Sequence, residues 1–367
     1  MRSFIWLHDN IRQHNNPTLE QALVQSQPQG LILFTNQQNW LLGSGEQPKW
    51  LEARRHALHA LPLDLPIIEV NDAKSLRSVM DERQVEKIYC DITSDFQINE
   101  LRQGFPCITN THNMLLSIEN MAPKYAGKFT KFYYGNKENI EFLLADKTPP
   151  TSPFKTRVPI SEPEALGWLD TYLNHAIQTY DKTRNDLLGD HSFSRLSAAL
   201  AIGSLSVTHL AASVNNLGQN KATQQYIYEL VWREYFQRLA SLLGAQLFTH
   251  PQPLTPAQQK NFDLWCQGNT GIDIVDAGIK ELTTTGFVSN RVRQLMASGL
   301  VHNLQVPWQY GAAFFEQHLW DYHPAPNYGN WGYIAGYSPV SKKSHEFDLD
   351  WQTRRYDPNG TYRETYL

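Results

Sequence analysis

"DKTPPTSPFKTRVPISEPE", residues 146–164, holds five prolines in nineteen residues. Proline has a locked φ and no amide N–H, so neither helix nor strand continues through a stretch this dense. It predicts a linker, and the chain has a different pattern on each side of it. On the N-terminal side, short apolar runs alternate with amphipathic ones. "SFIWL" (3–7), "GLILF" (30–34), "PIIEV" (66–70), "KIYCD" (87–91) and "PCITN" (106–110) predict strands. "PTLEQALVQ" (17–25), "PKWLEARRHALHAL" (48–61) and "DAKSLRSVMDER" (72–83) predict the helices between them. Alternation of this kind argues for a parallel, Rossmann-like α/β sheet over 1–145. On the C-terminal side, from 165 to 367, the pattern is mostly helical, as in "QYIYELVWREYFQRLASLLG" (225–244).

The 367 residues suit two domains or one large one. Hydrophobic residues are 41% and charged residues 19%, enough apolar material for a sizeable core. The net charge of −4 gives no global basic signal, so a nucleic-acid surface would have to be local. Cys90, Cys107 and Cys266 form no CxxC pair, which excludes a disulfide framework or a four-cysteine cluster. They read as thiols in a reducing compartment. The opening "MRSFIWLHDN" is too short in apolar residues for a signal peptide, and no run is long enough to span a membrane. The expectation is a cytoplasmic monomer without a metal centre. There is no GxGxxG, and the pair Gly43 and Gly45 follows no clear strand.

Four stretches carry candidate chemistry. In "TYDKTRNDLLGDHSFSRLSAALAIGSLS" (179–206), Ser192, Ser194, Arg195 and Ser197 precede an apolar helical run. Hydroxyls and amides at a helix start suit a pyrophosphate, or simply cap the helix. In "YELVWREYF" (228–236), Glu229, Trp232 and Arg233 share a helix face. They suit a base and its phosphate, or form an intrahelical ion pair over a core indole. In "TGFVSNRVRQLMASGL" (285–300), Asn290, Arg293 and Gln294 line one face and Arg291 another. The fourth stretch is "LWDYHPAPNYGNWGY" (319–333), rich in rings and turn residues, with Asp321 as its single acid.

In this order these stretches resemble the photolyase/cryptochrome family, and its DASH branch above all. "WCQGNTGIDIVDAGIKELTTTGFVSNRVRQLMASGL", "VPWQYGAAFFEQHLWDYHPAPNYGNWGY" and "YDPNGTYRETYL" extend the likeness nearly without gaps over 165–367. "FIWLHDNIRQHNNPTL" (4–19) resembles the family's opening strand and turn, and "YAGKFTKFYY" (125–134) is a weaker echo. The resemblance implies an all-α FAD-binding domain. It does not extend to the family's antenna chromophore, a folate or a deazaflavin, because the chain is short for the family and the shortening falls in the first domain.

By position, the resemblance gives the FAD phosphates to Tyr180, Ser194, Arg195, Leu196 and Ser197. Glu229 and Arg233 would border the pocket. Arg293 and Asp321 would pair beside the isoalloxazine, and Asn327 would face flavin N5. Glu229, Trp232, Asn290, Arg291, Gln294 and Tyr333 would contact the lesion. The implied reaction is light-driven electron transfer from reduced FAD to a cyclobutane pyrimidine dimer, with Glu229, Asn290 and Asn327 at the reacting end. UV-damaged DNA, single-stranded or with the dimer flipped out, would be the partner. A photoreceptor without repair activity is the alternative.

Three positions depart from the family pattern. Trp331 and Trp308 take the first two places of its tryptophan chain, but the third is Thr255, with Tyr310 or Trp265 as nearby replacements. His323 stands where the family has a second acid near the adenosine half, and Phe193 replaces a hydroxyl residue. Ser289 beside Asn290, where a His would be expected, argues against (6-4) lesions.

Overall fold

In a computed structural model, residues 1–36, 47–110, 113–116, 121–139, 158–189 and 192–367 are described. Five parallel strands, β1 (Arg2–Trp6), β2 (Gln27–Phe34), β3 (Ile67–Val70), β4 (Lys87–Asp91) and β5 (Cys107–Asn110), form one sheet in the order β3-β2-β1-β4-β5. These are the five predicted runs. Phe4, Ile5 and Trp6 of β1 are all buried, because a parallel sheet is covered on both faces and needs no polar alternation.

Helices α1 (Pro17–Gln25), α2 (Lys49–His59) and α3 (Ala73–Arg83) fall where the sequence places them. Local caps set their starts. Asn16 accepts from the Leu19 amide before Pro17, and Asp72 accepts from the Ser75 amide. A fourth helix, α4 (Phe96–Arg102), was not expected. Its seven residues are too few to show a period, and Asp95 caps it through the Gln97 and Ile98 amides.

The rest is helical: α5 (Phe129–Asn136), α6 (Glu162–His175), α7 (Tyr180–Thr183), α8 (Ser197–Ile202), α9 (Val207–Asn216), α10 (Lys221–Leu243), α11 (Pro256–Cys266), α12 (Asp273–Thr285), α13 (Asn290–Ser298), α14 (Trp308–His318), α15 (Pro324–Ala335), α16 (Leu349–Tyr356) and α17 (Thr361–Tyr366). Most of the proline-rich stretch, 146–157, lies outside the described residues, as do Gly43 and Gly45. Its end differs from the prediction. Pro163 sits in the first turn of α6, a position where its missing N–H is no loss.

Leu115, Leu116, Phe129 and Phe132 pack into the helical core rather than against the sheet. In turn, Ala198 and Ile202 of α8 and Phe287 join the sheet core around Ile5, Leu31 and Tyr89. The two halves therefore share apolar surface. Above it, the Ile11 amide donates to Ile202 O at 3.1 Å and Arg12 donates to Gly203 O at 3.0 Å.

A buried polar network lies at the carboxyl ends of β1 and β4. Asp91 accepts from the His8 amide and from Arg102. Arg54 donates to His8 Nε2 at 3.0 Å and to Asp9 Oδ1 at 3.3 Å, and Thr93 donates to Asp9. Asp95 lies 3.4 Å from His8 Nε2. Across from the helical half, His323 Nε2 meets Asp9 Oδ2 at 3.0 Å.

Burial pushes the Asp9 carboxyl up, but His323, His8 and Arg54 together hold it well below its ordinary value. Asp95 is likewise held low, its burial outweighed by His8 and His323. His8 is pushed down, by burial first and Arg54 second. The signs agree. A lowered carboxylate stabilises the fold above its ordinary value near 3.8, and that contribution is lost as pH falls toward the folded value. A lowered histidine makes the fold bind a proton less readily than the unfolded chain does, so stability begins to fall below about 6.5. The part of the stability that rests on these three groups should be level from pH 8 to 7, fall below about 6.5 and fall faster near 4. Glu316, raised by burial to about 7, acts in the opposite direction between about 7 and 4.5, so urea midpoints of variant and wild type are compared at each pH. Asp9→Asn should flatten the acid limb; an unchanged limb would remove Asp9 from this account.

Candidate functional site

A cavity of about 520 Å³ opens in the helical half, within the range of ligand pockets. The residues that the resemblance places at the site all line it except Leu196, Arg291 and Trp308, and the candidate Ser192 does not line it either, its hydroxyl donating to Asp186. Leu196 is fully buried in the helical core. Arg291 points elsewhere: it donates to Asn185 Oδ1 at 2.9 Å and lies over the rings of Phe347 and Tyr356. Trp308 packs its ring on Tyr328 and Tyr337. A lesion contact for Arg291 therefore has no support in its placement.

One wall is the start of α8. Leu196 and Ser197 begin that helix with no side-chain cap, so the plain N-cap alternative for this stretch does not hold. Ser194 instead offers its carbonyl to Trp168 Nε1. Arg195 has φ +55°, a left-handed backbone uncommon outside glycine, of the kind that collects at ligand clamps.

The second wall is α10. Glu229, Trp232 and Arg233 lie along it, but Glu229 does not pair with Arg233. Its Oε1 accepts from Arg184 at 2.8 Å and from Gln225 at 2.7 Å. Burial raises the Glu229 carboxyl despite both. Arg233 donates to Leu200 O at 3.0 Å and Asn113 O at 3.2 Å. Phe129 stacks on Trp232 with centroids 3.5 Å apart and planes 12° apart, which leaves a ligand at most the opposite indole face.

The third wall is α13 with the turn into α15. Ser289 caps α13 at the Val292 amide. Arg293 clamps Asp321 with two bonds, Nη1 to Oδ1 at 3.0 Å and Nη2 to Oδ2 at 2.7 Å, the bidentate geometry that fixes both groups. Asn327 donates from Nδ2 to Ala312 O at 2.9 Å. Among the described residues no donor reaches its Oδ1, so the amide oxygen is the atom offered to a ligand. His323 caps α15, accepting from the Ala325 amide at Nδ1, while Nε2 engages Asp9. Both ring nitrogens are used by protein. The residue that departs from the family pattern thus joins the cavity wall to the sheet.

Trp331 meets Trp265 at 6.2 Å and Phe315 at 5.0 Å. From Trp265, ring contacts continue to Phe262 at 6.2 Å and then to Tyr310 at 5.4 Å. Both residues named as replacements for the third tryptophan lie on this line. Thr255 itself caps α11 at the Gln258 amide.

Arg184 and Gln237 are among the cavity residues that stand outside the expected site. Arg184 reaches Glu229 from 45 positions away, a pairing that no local spacing shows. Gln237 does carry a sequence signal: it extends the Glu229, Arg233 spacing by one more helical turn. It is 3% exposed and lines the cavity with no hydrogen-bond partner for Oε1. A buried amide oxygen without a partner is costly unless a ligand supplies the donor. The unmet oxygen, the uncapped α8 start and the arginine–aspartate clamp together fit a large, polar-edged planar ligand such as FAD. Among the described residues no cluster of His, Cys, Asp or Glu could hold a metal, and no helix is long and apolar enough to cross a membrane.

A parallel sheet followed by a helical half built around such a cavity defines a photolyase-like flavoprotein. Residues 226–367 match the family described as the FAD-binding domain of DNA photolyase. The cryptochrome DASH of Idiomarina loihiensis is 40% identical over 329 residues, 79% of this chain and 73% of that protein. The cryptochrome DASH of Synechocystis sp. is 38% identical over 217 residues, 56% of this chain and 44% of that protein. A crystal structure of Synechocystis cryptochrome superposes with a TM-score of 0.82 at 24% identity, covering 100% of this chain and 89% of that one. A bacterial class III photolyase from Agrobacterium tumefaciens does so with 0.76 at 22% identity, covering 100% and 86%. The last two likenesses speak to the fold. The chain belongs to the photolyase/cryptochrome family, on its cryptochrome DASH side, and FAD is the cofactor of that family's helical domain.

Proposed function

We propose that this chain is a light-dependent DNA-repair flavoprotein that splits cyclobutane pyrimidine dimers, with single-stranded DNA as its favoured form of substrate. One observation carries the reading. The Arg293–Asp321 clamp and Asn327 share a cavity with Glu229, Trp232, Asn290, Gln294 and Tyr333, so the cofactor and lesion groups open onto one space.

Tyr180, Ser194, Arg195 and Ser197 would hold the FAD phosphates, Arg293 and Asp321 would hold the ring system, and Asn327 would offer its Oδ1 as an acceptor to it. When bound, reduced FAD supplies the electron that blue light drives toward the dimer. Glu229, held by Arg184 and Gln225, presents its carboxyl to the edge of the pyrimidine. Trp232 presents its free face to a flipped base, and Asn290 and Gln294 offer amides to the base edges. Arg291 and Trp308 lie outside the cavity, and Trp308 keeps the place in the electron path that the resemblance gives it.

Blue light on the FAD-reduced protein with a dimer-containing oligonucleotide should restore absorbance at the pyrimidine band; no restoration overturns the reading. Trp232→Ala should weaken lesion binding by about 1–3 kcal/mol, the loss of one base–aromatic stack, at unchanged flavin content. If flavin is lost instead, Trp232 supports the fold through Phe129 and does not meet the lesion. The relatives' name supports a second reading, a blue-light photoreceptor without repair. It predicts unrepaired dimers and a light-dependent change in limited proteolysis.

A further inference from the structure

A file of rings leads out of the cavity along α5. Trp232 and Tyr228 line the cavity. Phe129 stacks on Trp232 and stands edge-on to Tyr228 at 5.2 Å. Tyr133 meets Tyr228 at 4.9 Å, and Tyr134 meets Tyr133 at 5.2 Å. The file ends at Tyr134, which is 66% exposed. Its ring face is open to a stacking partner while its neighbours in the file are packed.

The same segment is basic in a chain whose net charge is −4. From Met121 to Lys137 it holds Lys124, Lys128, Lys131 and Lys137 and no acidic residue, and all four lysines are exposed. Lys131 on α5, Lys128 at its start and Tyr134 one turn beyond Lys131 supply the two elements of a single-strand platform, with Lys124 and Lys137 in the flanking turns. The ammonium groups follow phosphates and the rings accept unstacked bases. A duplex offers the phosphates but keeps its base faces closed, so the tyrosines select for an open strand.

We infer that α5 is a docking surface for the single strand of nucleic acid that flanks the base held in the cavity, with a neighbouring base stacked on Tyr134 and phosphates on Lys128 and Lys131. This rests on the repair reading for the identity of the cavity's base. It adds a binding surface outside the cavity that acts whether or not the strand is damaged.

Fluorescence anisotropy of the flavin-loaded protein with an undamaged oligothymidine, as single strand and as duplex, tests it. Tyr134→Ala should weaken single-strand binding about five-fold or more, the lower end for loss of a base–ring stack, and change duplex binding less than two-fold. Tyr134→Phe should restore it. The Lys128→Glu/Lys131→Glu double variant should reduce the slope of log affinity against log salt by about 1.4, the value for two phosphates of a single strand. Unchanged single-strand binding in Tyr134→Ala, or an equal loss on duplex, overturns the inference. Circular dichroism and flavin content, unchanged in these exposed-site variants, exclude unfolding as the cause. The two readings fail separately. A wild-type protein that repairs dimers while Tyr134→Ala binds normally keeps the repair and loses the platform. One that repairs nothing while Tyr134→Ala loses single-strand binding keeps the platform alone.

Discussion

Gly203→Ala is expected to destabilise the protein by about 2–5 kcal/mol. Gly203 ends α8 with φ +70°, in the left-handed region. An L side chain there costs about 1–2 kcal/mol. The new Cβ would also lie 1.8 Å from Asp9 O, 2.4 Å from Asp9 C and 2.7 Å from Asn10 N. All three are backbone atoms, so no side chain can swing aside, and overpacking of this kind adds about 1–3 kcal/mol. The seam between sheet and helices must part, taking the cavity wall at the start of α8 with it. A urea titration followed by circular dichroism measures the loss. A change below about 1 kcal/mol would mean that the loop after β1 and the end of α8 do not approach this closely.

Glu234→Ala should cost about as much by a different route. Glu234 is 0% exposed and accepts from Arg238 Nε at 2.8 Å and from the Leu115 amide at 3.0 Å. Arg238 in turn donates to Leu116 O at 2.9 Å. Removing the carboxylate deletes one member of a buried ion pair and the acceptor of the Leu115 amide, typically about 3–5 kcal/mol. Flavin retention should fall as well, because α10 also carries Glu229, Trp232 and Gln237. Replacing both partners, Glu234→Leu with Arg238→Met, should recover most of the stability, since a packed apolar pair can match a buried ion pair. A double variant as unstable as Glu234→Ala would mean that the Leu115 and Leu116 contacts, rather than the charge, set the cost.

The sheet was legible because each strand is a short apolar run bounded by polar residues, and both faces are buried. α4 was not, since seven residues cannot display a period. The proline-rich stretch marked where the pattern changes, yet Pro163 starts a helix there, because the same residue that breaks a helix interior is tolerated in its first turn. At the site, the residues themselves were readable from four separated stretches. Their partners were not. Spacing along α10 offers Arg233 to Glu229, and the fold supplies Arg184 instead. His323 looked like a departure beside the cofactor, and its ring is spent on Asp9, which no local pattern reveals. Arg291 was assigned by its place in the sequence, and Phe347 and Tyr356 from the far C-terminal segment claim it. Gln237 could have been found by following the 229, 233 spacing one turn further.

The bond between Asp9 and His323 spans 314 positions of the chain. A ribosome adding roughly 5–20 residues per second makes the aspartate roughly 16–63 s before the histidine. Through that interval the sheet can pair its strands, and Arg54 and Thr93 can reach Asp9. One acceptor of that carboxylate must still wait, with water or a chaperone at its open side. The sheet end of the molecule is therefore among the last parts to be finished, and synthesis that stops short of His323 should release a sheet whose Asp9 holds Arg54 and Thr93 but lacks its third partner.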